Sequence, residues 1–314
     1  MFRRSLPFLV IIALAVFIFL AIFKKSTETY IVKVSFPVMT AMEQIRNTHK
    51  ISKWMEPFAS EKESRLSITP QGISLGNESL QIINQGYDDM KFMRSNGKDS
   101  LVYLVEAYPL ADTAGKTNFV LSYVTTPWKK YIGKNPLINE SMKNMDLFKA
   151  FLENPGRVYG YDIKEILVTD TSFLFASRTV PLDKFAPESK SLFDMLIAEA
   201  GKKNAGYNGV RIFHSQLMGD GTIGLFAGIG VTRRVNTSEN DIVTYKIMPY
   251  KKKLLVAEYV GPYKNIQQAY DAMELYKTDN KRVSMAIPFE KYLSDGYGFA
   301  DTQVVKMRVS FPVF

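Results

Sequence analysis

TSFLFASRTVPLDKFAPESKSLFDMLIAEAG, residues 171–201, and KKLLVAEYVGPYKNIQQAYDAMELYKTDN, residues 252–280, decide the architecture of this chain. Each opens with an apolar strand pattern, turns at a proline and continues as an amphipathic helix. The helical faces are Leu192, Met195, Leu196 and Ala200 in the first stretch and Ile266, Tyr270, Met273 and Tyr276 in the second. A pair of strand patterns closes each copy: RIFHSQLMGDG (211–221) to GLFAGIGV (224–231), and IPFEKYLSDG (287–296) to VVKMRVSFPV (304–313). Neither unit can bury a sheet face alone. They therefore predict one domain over residues 162–314, a duplicated strand-helix-strand-strand fold with pseudo-twofold symmetry and a cleft where the copies meet.

Within that domain VSMAIPFEKYLSDGYG, residues 283–298, places a carboxylate in an apolar strand pattern. Side chains alternate along a strand, so Glu290 and Tyr292 share a face with Pro288, and Phe289, Lys291 and Leu293 take the other. A carboxylate drawn inward costs several kcal/mol unless it is paired or hydrogen-bonded, and a bound cation supplies that pairing. Tyr292, Tyr259 and Tyr263 are the rings available to such a cation, each worth about 0.5–2 kcal/mol. Aligning the repeats sets Phe213 on Phe289, Leu217 on Leu293 and His214 on Glu290. On that alignment His214 enters the same cleft, as a partner for Glu290 or as a proton carrier.

The first half reads differently. Tyr30–Phe36 alternates cleanly as a strand, and Thr40 with Glu43 has capping-box spacing for a helix ending near Trp54. Strand patterns follow at 65–68, 80–84, 90–93, 101–107 and 118–125, with turns at 70–72, 95–97 and 112–115. Met142, Met145, Phe148 and Leu152 mark a long helix stopped by Asn154, Pro155 and Gly156. This order describes an antiparallel sheet wrapped around a terminal helix.

SLPFLVIIALAVFIFLAIF, residues 5–23, carries no charge for about 19 residues, close to the length of one membrane-crossing helix. It runs straight into Lys24 and Lys25 without the small residues of a signal-peptide cleavage site. The expectation is an uncleaved anchor over residues 1–28, with Arg3 and Arg4 cytoplasmic and the remainder extracytoplasmic, in a bacterial inner membrane.

Composition narrows the chemistry. The 314 residues are 46% hydrophobic and 23% charged, enough for two cores. With no cysteine and only His49 and His214, thiolate catalysis and disulfides are excluded, and no metal or cofactor site is expected. The net charge of +9 is dispersed apart from Lys251–Lys253, which leads into a strand pattern, so no nucleic-acid partner is expected. GDGTIGLFAGIG, residues 219–230, lacks the Lys-Ser ending of a phosphate loop and reads as a glycine-rich hairpin.

ISKWMEPFA, residues 51–59, and the element order over residues 29–158 resemble the SRPBCC or START-like helix-grip family. That resemblance rests on Trp54, Pro57 and Phe58 and implies a cavity for apolar molecules between sheet and long helix. Ordinary core packing is the competing role for Trp54 and Phe58. EYVGPYKNIQQAYDAM (258–273), PFEKYLSD (288–295) and VVKMRVSFPV (304–313) resemble GyrI-like effector-binding domains, with Pro288, Glu290, Tyr292 and Asp295 at the family's proline, glutamate, tyrosine and acidic positions. The resemblance implies that the glutamate meets cationic ligands in an aromatic-lined pocket. Some free-standing members of that family are hydrolases. The tryptophan often found in the family's helix is missing from residues 265–276.

The fold class expected is thus α+β, with a transmembrane helix, a helix-grip domain and a GyrI-like domain. The expected function is a membrane-anchored protein that binds or senses a small amphipathic or cationic molecule. The alternatives are hydrolysis of a reactive small molecule with Glu290 as general base and Tyr292 assisting, and an interaction scaffold whose cavities are vestigial.

Overall fold

A computed structural model describes residues 2–110, 115–133, 135–238, 241–284, 286–294 and 304–313, with the backbone alone for residues 2–12. The chain divides into two compact units, Met1–Asn154 and Pro155–Phe314. Each is built on a large antiparallel sheet, and the fold is α+β. Asp295 and residues 112–114 of the expected loop turn lie outside the described residues.

The first unit runs α1 (Phe2–Phe23), β1 (Ser26–Val34), α2 (Val38–Arg46), α3 (Thr48–Ile51), β2 (Ser67–Thr69), β3 (Gly72–Leu75), β4 (Glu78–Gln85), β5 (Asp89–Ser95), β6 (Ser100–Pro109), β7 (Thr117–Thr125), α4 (Pro127–Tyr131) and α5 (Pro136–Leu152). Its seven strands pair in the order β1-β7-β6-β5-β4-β3-β2. The α5 helix starts where Asn135 accepts from the Leu137 N–H and Pro136 supplies a preset φ. It buries Leu137, Met145, Phe148, Phe151 and Leu152. Phe148 packs against Trp54 at 4.6 Å and edge-on to Phe119 at 5.2 Å between ring centroids. Side-chain rings thus pack between helix and sheet. The capping box expected at Thr40 does not form: α2 begins three residues earlier behind Pro37, with no side-chain cap.

One expectation is overturned. Residues 5–23 do lie in a helix, α1, but among the described residues no helix is long and apolar enough to cross a membrane. Neither the transmembrane anchor over residues 1–28 nor the single-pass inner-membrane location drawn from it is supported.

The second unit runs α6 (Pro155–Tyr159), β8 (Lys164–Leu167), β9 (Ser172–Pro181), α7 (Phe185–Lys202), β10 (Tyr207–Leu217), β11 (Thr222–Val231), β12 (Thr244–Ile247), β13 (Lys253–Pro262), α8 (Gln267–Asp279), β14 (Phe289–Tyr292) and β15 (Val304–Val313). Its sheet order is β12-β9-β11-β10-β14-β15-β13-β8. Reading outward from the β10–β14 seam, β11 matches β15 and β9 matches β13, so the two copies lie about a pseudo-twofold axis at the seam. One row crosses the sheet in register: Ala176, Ala227, Phe213, Glu290, Val309 and Ala257. Directly opposed residues share a face, so all six point the same way. Phe213 meets Phe193 of α7 at 6.0 Å, which makes this the helix-covered face. All six are buried, Glu290 at 2% exposure.

Candidate functional site

Glu290 is the one charged residue in that row. Phe213 stands on one side of it and Val309 on the other, with no cation opposite. Its neighbours on the helix layer are tyrosines. Tyr270, on the inner face of α8, donates from its hydroxyl to Glu290 Oε1 at 2.7 Å. Tyr263, in the 3-10 turn before α8, donates to the same oxygen at 3.5 Å and sits 3.3 Å from the Ser215 hydroxyl. Oε2 is buried without a hydrogen-bond partner among the described residues. Burial pushes the carboxyl up to about 8, against the opposing pull of the Tyr270 bond, its own backbone N–H and Tyr263. The neutral acid is therefore the favoured form at neutral pH. Burial, with the carboxylate beside them, holds both tyrosine hydroxyls well above their usual range, so they act as donors.

These groups open onto a cavity of about 770 Å³. Phe185, Ile223, Tyr263, Ile266, Tyr270 and Pro288 form much of its wall, and Glu290 is part of it. Phe185 stacks on Tyr263 at 5.4 Å and 26°. Phe289 and Lys291 face the other side of the sheet, where Lys291 pairs with Asp170 at 2.5 Å, so alternation along β14 separates the acid from the adjacent lysine. The arrangement is a largely apolar, ring-bearing pocket whose wall carries one acid, Glu290, and one lysine, Lys264. Chemically it can stabilise a cation or hold a removable proton.

The residues read from the sequence distribute unevenly over this site. Glu290 and Tyr263 are together in it. Tyr292 shares the face of Glu290, but its ring packs edge-on to Phe193 at 5.5 Å and under the Arg211 guanidinium at 4.7 Å, away from the cavity wall. Tyr259 spends its hydroxyl on the Pro262 carbonyl at 2.6 Å and lies outside the wall. His214 borders the cavity, yet it stands opposite Phe226 of β11, their rings 5.8 Å apart, on the face away from Glu290. The repeat alignment is one residue out there: Phe213, not His214, occupies the position equivalent to Glu290. Burial lowers the His214 imidazole from its usual value. Tyr270 carries the shortest bond to the acid, whereas sequence periodicity places it only on a helix face. Its polar tip on an otherwise apolar stripe was the available signal.

Tyr270→Phe tests this geometry. Removing a hydroxyl that favours the ionised acid should lift the Glu290 midpoint above about 8 by about one unit, since a hydrogen bond to a charged group contributes about 1.5–3 kcal/mol. The carboxyl C=O infrared band followed against pH reads the midpoint. An unmoved band would mean that Tyr270 does not hold the acid.

No protein-family model matches the chain, and no curated protein matches it. Several solved structures are similar to it. One is the C-terminal domain of EcmrR, 16% identical, covering 49% of this chain and 98% of that one at a TM-score of 0.36. Another is SAV2435 bound to tetraphenylphosphonium, 19% identical, covering 48% and 93% at 0.32. A third is a hydrolase from Listeria innocua, 13% identical, covering 48% and 91% at 0.34. Each likeness covers about half of this chain.

Proposed function

We propose that the second unit is a GyrI-like small-molecule-binding domain that takes amphipathic cations, with Glu290 as the counter-charge. The observation that carries this reading is a buried carboxylate, held by two tyrosine hydroxyls and without an ion-pair partner among the described residues, in the wall of a ring-lined cavity. An entering cation supplies the missing charge and drives off the proton. The apolar walls contribute the affinity that the bare charge pair cannot. The first unit resembles a helix-grip domain; Phe148 of its long helix packs against Trp54 and Phe119, and no ligand is assigned to it.

Tetraphenylphosphonium is a suitable probe because it has no titrating group of its own. Titrated into the full chain, it should bind more tightly as pH rises, about tenfold per unit up to about 8, and then level off as Glu290 becomes fully ionised. His214→Gln should leave this profile unchanged, because that ring lies on the other face of the sheet. A flat profile in the unaltered chain would overturn the counter-charge role.

A second reading, hydrolysis with Glu290 as general base, has its own support. An acid raised to about 8 is suited to accepting a proton near neutrality, and Oε2 is unpartnered. Product formed from a bound electrophile and lost in Glu290→Gln would favour catalysis. Saturable binding without product favours capture.

A further inference from the structure

The central ladder of the second unit is shorter than its strands allow. β10 has 11 residues, yet β14 pairs with it only at Ile212–Lys291 and Phe213–Glu290. In the same register the next position facing β14 would set Ser215 against Pro288, which has no N–H to donate. The hairpin fixes which backbone groups face that side. Met218 N–H donates to the Thr222 carbonyl at 2.9 Å, so Met218 faces β11 and alternate residues face the opposite way. Ser215 and Leu217 therefore turn their N–H and C=O toward the side that β14 leaves open. Among the described residues no backbone hydrogen bond meets them there. Both residues border the same cavity as Glu290. Strand-type donors and acceptors thus stand beside a buried carboxylate, and backbone groups of this kind seek partners.

Resting on the reading of Glu290 as a counter-charge, the geometry points to a narrower ligand class: amines that also carry a secondary amide. The cationic nitrogen meets Glu290. The amide lies against the open edge of β10 and gives its N–H to the Ser215 or Leu217 carbonyl, its own oxygen pointing away from that edge as a planar trans amide requires. This is strand addition reduced to a single amide. An ester of the same shape keeps the cation and the carbonyl but has no N–H to give, and a site built to accept that hydrogen bond discriminates against it.

Calorimetric titration of the full chain with procainamide, procaine and tetraphenylphosphonium tests this. Procainamide and procaine are both protonated amines and differ chiefly in an amide against an ester link. Procainamide should bind roughly tenfold more tightly than procaine, the worth of one such hydrogen bond. Equal binding of the amide and the ester overturns the amide preference and leaves cation capture standing, as does phosphonium binding with neither amine bound. Failure of all three to bind overturns the proposed function itself.

Discussion

Glu290→Gln should make the second unit more stable and, at the same time, unable to hold cations. In the unfolded chain this acid titrates near its ordinary value of 4.5, whereas the fold keeps it protonated to about 8. Between those two pH values the folded state binds one proton more than the unfolded chain, so rising pH favours unfolding. Below pH 4.5 both states are protonated and the acid exacts no penalty. Above about 8 the penalty is complete, on the order of several kcal/mol. Glutamine carries no charge at any pH and still accepts from Tyr270. Its advantage should be near zero at about pH 4, grow through the window and reach a few kcal/mol at about pH 9. Urea unfolding at the two ends of that range measures it. Cation affinity should move the other way, falling roughly thirtyfold or more, because removing one member of a desolvated charge pair costs about 2–5 kcal/mol. A substitution that destabilised the unit at high pH would mean that Glu290 is not a strained, unpaired acid.

Phe213→Ala carries the second large effect. This ring is 1% exposed and meets Phe185 at 6.1 Å, Phe193 at 6.0 Å and Tyr263 at 6.4 Å. It stands directly across the ladder from Glu290. Truncation of a buried phenylalanine costs about 3–5 kcal/mol through lost transfer energy and the residual cavity. It would also admit water beside the carboxylate, and the Glu290 midpoint should fall from about 8 back toward its ordinary range. Calorimetry and the carboxyl infrared band report the two consequences separately. A loss below about 1 kcal/mol, or an unmoved midpoint, would show that the Phe213 ring does not seal the acid.

Local patterns carried a good part of this picture. Alternation around Glu290 was enough to put it on a face with Pro288 and away from Lys291, because the period of a strand is fixed by the backbone. The matching prolines at 181 and 262 mark the ends of β9 and β13, the strands at corresponding places on either side of the seam. His214 shows the limit of the same reasoning. A repeat alignment tolerates a slip of one residue, and one residue moves a side chain through the sheet. The register that corrects it, Phe213 against Glu290, belongs to a contact between segments 77 residues apart (290 less 213) and has no local signature. Residues 5–23 show another limit: an uncharged run near the spanning length reads as an anchor in one dimension, while no described helix is long and apolar enough to cross.

The sequence by itself determined most of the longer strands and helices, though not the short β3, β8 and β12, and which side of β14 bears the acid, since these follow from periodicity within a few residues. Only the tertiary structure decided that Tyr270 and Tyr263 converge on one oxygen of Glu290, that Tyr259 and Tyr292 are spent elsewhere, and that β10 keeps an open edge beside the pocket. The physical reason is that burial and hydrogen-bond partnership depend on distance in space. Here that distance is set by packing two copies of one unit against each other across a short, proline-ended ladder.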